Sequence, residues 1–260
     1  MRLDRYPTTR RHVCGRRRKR RRWPLLLLLA LITPVVLYLA VRRVLTDLPN
    51  GLLLRWAIDP LARAELATSL DAPCPGYPFL VPSSGLVGGL PWHATAFPYD
   101  AANPHPGTDI FGDGSPGTIP VYAAYDGLLS REPYWVSAVT IQHDDPLHPG
   151  AIIWTYYTHM ANLDGSESYV MAKFPPGIRA EPVQQGELLG YQGVYNGGVD
   201  ERRIDMHLHF SIVRSTASGA YLNETVFANT IDPTPYLGLP LDDPGGAQFP
   251  LRCLPPGATG

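Results

Sequence analysis

The chain has 260 residues, enough for one sizeable domain with appendages, and its 28 prolines and 25 glycines favour short strands and turns over long helices. A net charge of −1 hides an asymmetry: residues 1–22 carry eleven Lys and Arg, whereas the chain from Val44 onward has nine basic and twenty-two acidic residues. The acidic part argues against charge-driven binding of nucleic acid or other polyanions.

The N-terminal residues have the pattern of a membrane anchor. The basic run Arg16–Arg22 alone would fit a nucleic-acid partner, but nineteen residues without a charge, Trp23–Val41, follow it. That length is close to the ~20 residues that a helix needs to cross a bilayer. Because the basic excess precedes this stretch, the positive-inside rule predicts a cytoplasmic tail at 1–22, a transmembrane anchor at 23–43 and an extracytoplasmic remainder. A cleaved signal peptide is the alternative, although no clean cleavage site follows the apolar stretch.

Residues 44–93 form a predicted juxtamembrane and linker segment. The stretch 46–69 is rich in leucine and is interrupted by Pro60, which predicts short helices. Residues 73–104 are rich in Pro, Gly and aromatic side chains and predict an irregular segment. His93 has no partner at a useful spacing, so we interpret it as structural.

Two cysteines flank the predicted folded part. A bridge between Cys74 and Cys253 would tie its ends together, as exported compartments permit, and two free cysteines are the alternative. Cys14 lies in the predicted cytoplasmic tail.

The first candidate ligands follow the linker. Pro106 and Gly107 disfavour a helix, so His105 and Asp109 are expected on a turn that leads into a strand. An imidazole and a carboxylate four residues apart across a tight turn can converge on one metal ion, although this spacing is common by chance.

Short strands separated by glycine turns come next. The predicted strands lie at 118–129, around a turn at Asp126-Gly127, and at 139–142, 151–159 and 182–190. This succession predicts an all-β fold and excludes a Rossmann-type one.

The stretch Ile204–Ile212 alternates apolar residues with histidines. Period-two alternation is typical of a half-buried strand, so His207 and His209 are expected on one face. Two such imidazoles can work as a pair, one on a metal and one beside it; an ordinary strand with two histidines is the alternative.

Three motifs in this order resemble those of the M23 peptidases, the lysostaphin-like or LytM-type zinc endopeptidases that cut cell-wall peptides. The motifs are His105-x3-Asp109, His159 within Tyr-Thr-His-Met, and His207-Leu-His209. The framing segments 120–127, 183–190 and 231–236 are also similar to those of the family. The resemblance implies an antiparallel β-sandwich or barrel-like peptidase domain at 94–240, followed by a C-terminal tail at 241–260.

The resemblance also implies the roles of the site residues. His105, Asp109 and His209 would bind one zinc ion per chain, and His159 and His207 would be an uncoordinated catalytic pair. Three protein ligands leave a fourth position open for water, as catalytic zinc requires. His207 is placed to act as the base and His159 to assist the oxyanion or the leaving amine, but the sequence leaves the division between them open.

The implied function is a membrane-anchored, extracytoplasmic zinc metalloendopeptidase of a bacterial cell that hydrolyses peptide bonds of peptidoglycan. A non-catalytic module that binds the wall or activates another hydrolase, and a peptidase for exported proteins, are the alternatives. The expected partners are peptidoglycan peptides and the membrane, with no nucleic acid; the sequence identifies no regulatory partner.

The chain departs from the family pattern in three places, at 143–150, 162–179 and 200–205. These segments border the cleft in the family's fold and leave the substrate preference open. His143 and His148 belong to the first of them, and we interpret both as surface residues without a role.

Overall fold

A computed structural model of the chain describes residues 23–46, 51–96, 98–197, 205–241 and 249–257. The chain divides into two compact units, Met1–Val44 and Leu45–Gly260. The predicted basic tail at 1–22, residues 200–204 of the departure at 200–205, and residues 242–248 and 258–260 of the predicted C-terminal tail lie outside the described residues.

Helix α1 runs from Trp23 to Thr46 and contains Pro34. None of the helices formed by the described residues combines the length and the apolar character that crossing a membrane demands. The transmembrane anchor at 23–43 therefore stays a prediction.

Two short helices follow, α2 (Gly51–Ile58) and α3 (Pro60–Leu66), in the stretch where the sequence predicts them. Pro60 cannot continue α2 but suits the first turn of α3, and the Asp59 carboxylate caps α3 by accepting a hydrogen bond from the Leu61 amide. The two helices pack a small apolar cluster that includes Trp56 against the first strand of the sheet.

The second unit is built on antiparallel strands, as predicted. The strands are β1 (Leu86–Leu90), β2 (Thr108–Phe111), β3 (Pro120–Tyr122), β4 (Gly127–Ser130), β5 (Val139–Asp144), β6 (Ile152–Thr158), β7 (Glu181–Val183), β8 (Leu188–Tyr191), β9 (Leu208–Arg214) and β10 (Thr230–Ile231). The large sheet has the order β1-β2-β9-β6-β5-β4-β7, with β10 also on β9, and β3 pairs with β8 in a second sheet. A 3₁₀ turn, Phe227–Asn229, precedes β10, and a single helical turn, α4 (Thr234–Leu237), follows it.

Strand β9 lies at the centre of the large sheet. It pairs with β2, β6 and β10, so both of its edges are hydrogen-bonded. Leu208, Phe210 and Ile212 point into the main hydrophobic core. Because side chains alternate along a strand, the residues between them face the opposite side, where the candidate site lies.

Residues on both sides of the predicted domain at 94–240 belong to this core. Phe79, Val87 and Leu251 are almost fully buried in it. The disulfide Cys74–Cys253 confirms the predicted bridge, with Cα atoms 5.4 Å apart and 179 residues of separation. It joins the segments that enter and leave the β domain, and such a bridge is typical of an exported protein.

The prediction of a surface position for His143 is wrong. Strand β5 extends to Asp144, so His143 lies within it and is 1% exposed. Its Nδ1 donates to the Asp126 carbonyl at 2.7 Å, and its Nε2 lies 2.7 Å from Thr155 Oγ1. β5 continues two residues beyond the predicted strand at 139–142, into the segment that is predicted to be a loop. His148, by contrast, has an exposed side chain.

Burial lowers the pKa of His143 to about 4, against the opposing effect of the Asp126 carbonyl. An unfolded histidine titrates near 6.5, so neutral His143 stabilises the fold fully above that pH, and this contribution is lost as the pH falls toward 4. Replacing His143 by Gln should make the drop in unfolding free energy between pH 7 and pH 4.5 smaller by about 2 kcal/mol. Urea unfolding at both pH values measures this, with His148→Gln as the exposed control. An equal drop in the wild-type and His143→Gln proteins would contradict the assignment.

Candidate metal centre

The site is built where β2 and β9 lie side by side. Asp109 of β2 is directly opposite His209 of β9 in the antiparallel register. His207 precedes β9 and forms an isolated bridge with Gly193. His209 and His207 are thus two residues apart on the face turned away from the core, as the alternation predicts.

The turn before β2 brings His105 to the same place. Its backbone is held by the segment before it, since the His105 amide donates to the Ala94 carbonyl at 2.9 Å. Gly107 passes so close to β9 that a Cβ atom there would collide with the Ser211 hydroxyl and the Phe210 carbonyl. A glycine at 107 is therefore needed for the turn to reach β9.

Three side chains meet in a compact triangle. His105 Nε2 lies 3.0 Å from His209 Nδ1, which lies 2.9 Å from Asp109 Oδ1, and His105 Nε2 is 3.3 Å from the same oxygen. All three side chains are buried. They form the one group of His, Cys, Asp and Glu within the described parts of the chain whose ligand atoms could hold a metal ion.

The triangle has the size that a zinc ion requires. Zinc bound tetrahedrally at about 2.0–2.1 Å from its ligands keeps neighbouring ligand atoms about 3.3 Å apart. The three observed separations lie close to that value, and two imidazoles with one carboxylate are a donor set that zinc favours. The residues present therefore fit the ion.

Hydrogen bonds on the outside of the site orient the imidazoles. The triangle and the residues beside it contain four histidines, and three of these place Nδ1 against a backbone carbonyl. Because a carbonyl can only accept, each of these Nδ1 atoms carries the proton, and the Nε2 atom of the same ring keeps its lone pair. These contacts are His105 to Pro91 at 2.9 Å, His159 to Tyr195 at 2.6 Å, and His207 to Asp205 at 2.7 Å.

His159 and His207 form a pair beside the triangle. Their ring centroids are 4.5 Å apart, and His207 Nε2 lies 3.7 Å from Asp109 Oδ2. His159 follows the last residue of β6 with a φ of 73°, a conformation uncommon for a residue other than glycine. Such backbone strain is often found at functional sites, and here it turns the imidazole from the end of β6 towards His207.

The two histidines of the pair are neutral. Burial lowers the pKa of His159 to about 3, with the neighbouring His207 and His209 adding to the shift. Burial also lowers the pKa of His207, although Asp109 opposes the change. Each therefore keeps an unprotonated Nε2 at neutral pH.

The carboxylate of Asp109 is ionised. Its burial raises the pKa, but the neighbouring His105 and His207 and the hydrogen bond from His209 outweigh burial and hold the pKa well below its usual range. Burial likewise opposes the charged form of His209, yet Asp109 and Glu224 raise the pKa of that imidazole to about 10. A metal ion must therefore displace a proton from His209, which couples metal uptake to proton release.

The sequence motifs do not predict two residues that lie next to the triangle, Ser211 and Glu224. Ser211 Oγ lies 2.9 Å from His209 Nε2 and 3.4 Å from Glu224 Oε2. Ser211 follows His207 and His209 in the same period-two alternation, so the pattern itself contains a signal for it. Glu224 lies on a loop after β9, and no spacing in the sequence connects it to the histidines.

A cleft of about 850 Å³ opens onto the triangle. Among its lining residues, His159, His209 and Glu224 belong to the site. Aromatic side chains form much of the rest of its walls: Tyr99, Tyr134, Trp135, Tyr156, Tyr195 and Phe227. A cleft of this size with aromatic walls can hold several residues of an extended peptide.

Comparisons with known proteins were made for the whole chain. No protein-family model matches the chain, and no curated protein is found to be similar to it. Similar solved structures include LytM of Ruminococcus gnavus, with 24% identity over 54% of this chain and 48% of that chain and a TM-score of 0.36. Lysostaphin of Staphylococcus simulans, described as an antimicrobial peptidase, has 18% identity over 62% of this chain and 50% of that chain and a TM-score of 0.36.

A third similar structure is the catalytic domain of the prophage-encoded M23 protein EnpA of Enterococcus faecalis. It has 21% identity over 49% of this chain and 81% of that chain, with a TM-score of 0.31. The chain spans about half the length of the LytM and lysostaphin structures that it matches. These neighbours are M23/LytM-type peptidases, the type that the sequence motifs resemble.

Replacing His209 by Ala removes one corner of the triangle and should weaken zinc binding by more than the ~10–100-fold that loss of an outer hydrogen-bond partner costs. Zinc content after dialysis, and competition with a chromophoric chelator, measure the loss. His148→Ala is the matched control, because His148 is exposed and outside the triangle. Retention of one tightly bound zinc ion by His209→Ala would rule out this ligand set.

Proposed function

We propose that the chain is a zinc-dependent endopeptidase of the M23 type that hydrolyses peptide bonds of peptidoglycan outside the cell membrane. The observation that carries the proposal is the convergence of His105, Asp109 and His209 within 3.3 Å of one another, with His159 and His207 beside them. The order and spacing of the sequence motifs support the peptidase class and the cell-wall substrate.

In this proposal the three residues of the triangle hold one zinc ion through His105 Nε2, Asp109 Oδ1 and His209 Nδ1. A zinc ion held by two neutral imidazoles and one carboxylate keeps a net positive charge, and it would supply Lewis acidity to a peptide carbonyl and to a water molecule. The outer hydrogen bonds keep the ligand nitrogens turned inward before the ion arrives, so little reorganisation is needed on binding.

His207 and His159 would move the protons. His207 Nε2 is 3.7 Å from Asp109 Oδ2, the outer oxygen of a ligand carboxylate, which supports His207 as the base that takes a proton from the attacking water. His159, which lines the cleft with its ring centroid 4.5 Å from that of His207, would first receive a proton at Nε2 and then donate it to the carbonyl oxygen of the substrate or to the leaving amine. The Asp205 and Tyr195 carbonyls hold the Nδ1 protons, so each Nε2 is free for these roles.

We also propose that residues 23–43 anchor the chain in the membrane with its N-terminus in the cytoplasm. The uncharged stretch Trp23–Val41 and the eleven basic residues before it support this topology, and the Cys74–Cys253 bridge fits an exported domain. Alkaline carbonate extraction of membranes tests the anchor: an anchored chain stays in the pellet, and a chain released to the supernatant would contradict it.

The function is tested on the full chain purified in detergent. We expect one zinc ion per chain and release of new amino termini from purified peptidoglycan, with activity abolished by a chelator and restored by zinc. Bound zinc without cleavage of peptidoglycan would favour a non-catalytic wall-binding or activating module, and cleavage of exported proteins alone would favour the other alternative. A chain without zinc would refute the proposal.

Replacing His207 by Ala should preserve zinc binding and lower turnover by about 10²–10⁴-fold, the usual contribution of a general base. The comparison of zinc content with the cleavage rate separates the two roles, and His93→Ala serves as a control outside the triangle. Loss of zinc from His207→Ala would show that His207 is a ligand rather than the base.

A further inference from the structure

Glu224 is a partly buried carboxylate next to the candidate metal centre, at the wall of the cleft. Its side chain is 14% exposed, and among the described residues its ion-pair contact is with His209, at 3.5 Å between Oε2 and Nε2. A carboxylate is costly to bury unless its hydrogen bonds are satisfied. Its position therefore points to a partner inside the protein.

Hydrogen bonds connect the proposed zinc ligand His209 to Glu224 through Ser211. His209 Nε2 is 2.9 Å from Ser211 Oγ, and Ser211 Oγ is 3.4 Å from Glu224 Oε2. A carboxylate only accepts, so the serine hydroxyl donates to Glu224 and its oxygen is left to accept from His209 Nε2–H. The shorter distance makes Ser211, and not Glu224, the direct partner of the imidazole.

This arrangement determines which nitrogen of His209 faces the triangle. The other three histidines direct Nε2 inward and donate from Nδ1 to a carbonyl, whereas His209 is reversed and directs Nδ1 towards Asp109. A reversed imidazole needs an acceptor at Nε2, and Ser211 Oγ lies 2.9 Å from that nitrogen. Ser211 and Glu224 supply that acceptor.

We infer that Glu224 is a positioning residue that acts through Ser211 to hold His209 with Nδ1 directed at the metal ion, and that it strengthens zinc binding. The inference rests on the proposed function, since it assumes that the triangle holds zinc. An anionic partner at the outer nitrogen makes the imidazole a more basic ligand and fixes its ring orientation. Glu224 also lines the cleft, but the role inferred here runs through Ser211 and His209, and no catalytic role is assigned to it.

The loop around Glu224 has its own supports. The Asn223 side chain accepts from the Thr225 amide at 3.0 Å, and the Asn223 carbonyl accepts from the Asn229 amide group at 2.8 Å. These contacts do not involve the Glu224 side chain. Neutralising the Glu224 carboxylate should therefore leave the loop folded. The same change should weaken the hydrogen bonds that orient the His209 imidazole.

The test measures zinc affinity on the full chain, by competition with a chromophoric chelator, for Glu224→Gln, Ser211→Ala and the double variant. Each single variant should bind zinc about 10–100-fold more weakly than the wild-type chain. Because the two residues act in one chain of hydrogen bonds, the double variant should lose little more than the worse single variant. Glu181→Gln, which removes an exposed carboxylate on β7, is the matched control and should bind like wild type.

Cobalt substitution gives a second readout, since the visible spectrum of bound cobalt should change in Glu224→Gln and stay unchanged in Glu181→Gln. Unchanged zinc affinity in Glu224→Gln would overturn the inference while leaving the proposed function intact. A wild-type chain without zinc would overturn the proposed function and the inference together. If Glu224→Gln does not fold, Ser211→Ala, which keeps the carboxylate, decides by the same criterion.

Discussion

The register between β2 and β9 is the constraint on which the site depends. It places Asp109 directly opposite His209, and the turn before β2 then brings His105 to within 3.3 Å of both ligand atoms. A shift of one residue would turn His209 into the core and Phe210 into the site, because side chains alternate along a strand. The register is held by the apolar face of β9 and by Gly107, which lets the turn approach the strand.

The second feature of the site is that its polar groups are oriented before any ligand binds. Buried imidazoles and a buried carboxylate are unfavourable without partners, and here each outer nitrogen has one. The partners are mostly backbone carbonyls from segments outside β9, so the surrounding fold fixes the tautomers. Metal binding to such a preformed set adds to the stability of the fold.

Much of the fold could be predicted from local patterns, which also indicated that the candidate histidines lie near one another; the resemblance to the M23 peptidases was needed to choose His209 rather than His207 as a ligand. The period-two alternation in β9 indicated which side chains share a face, and the turn residues indicated where β2 begins. The short helices on either side of Pro60 and the Cys74–Cys253 bridge are also confirmed. The roles assigned to the five site residues stay predictions, since only the resemblance assigns them.

The features that the sequence did not predict depend on contacts between distant parts of the chain. Glu224 reaches His209 through Ser211 from a separate loop, and nothing in the spacing of these residues indicates it. His143 was assigned to the surface because prolines and glycine follow it, yet the strand continues through it and tertiary packing buries the ring. Residues before 94, such as Phe79, enter the core only because the disulfide and the sheet bring both ends of the domain together.

Zinc K-edge X-ray absorption on the purified chain tests the central claim most directly, because it reports the ligands of the bound ion. The account predicts a first shell of nitrogen and oxygen at about 2.0–2.1 Å with the multiple-scattering signature of two imidazoles. A third imidazole would make His207 or His159 a ligand and contradict the division between ligands and catalytic pair. A sulfur shell at about 2.3 Å would place the ion at cysteine and contradict the site altogether.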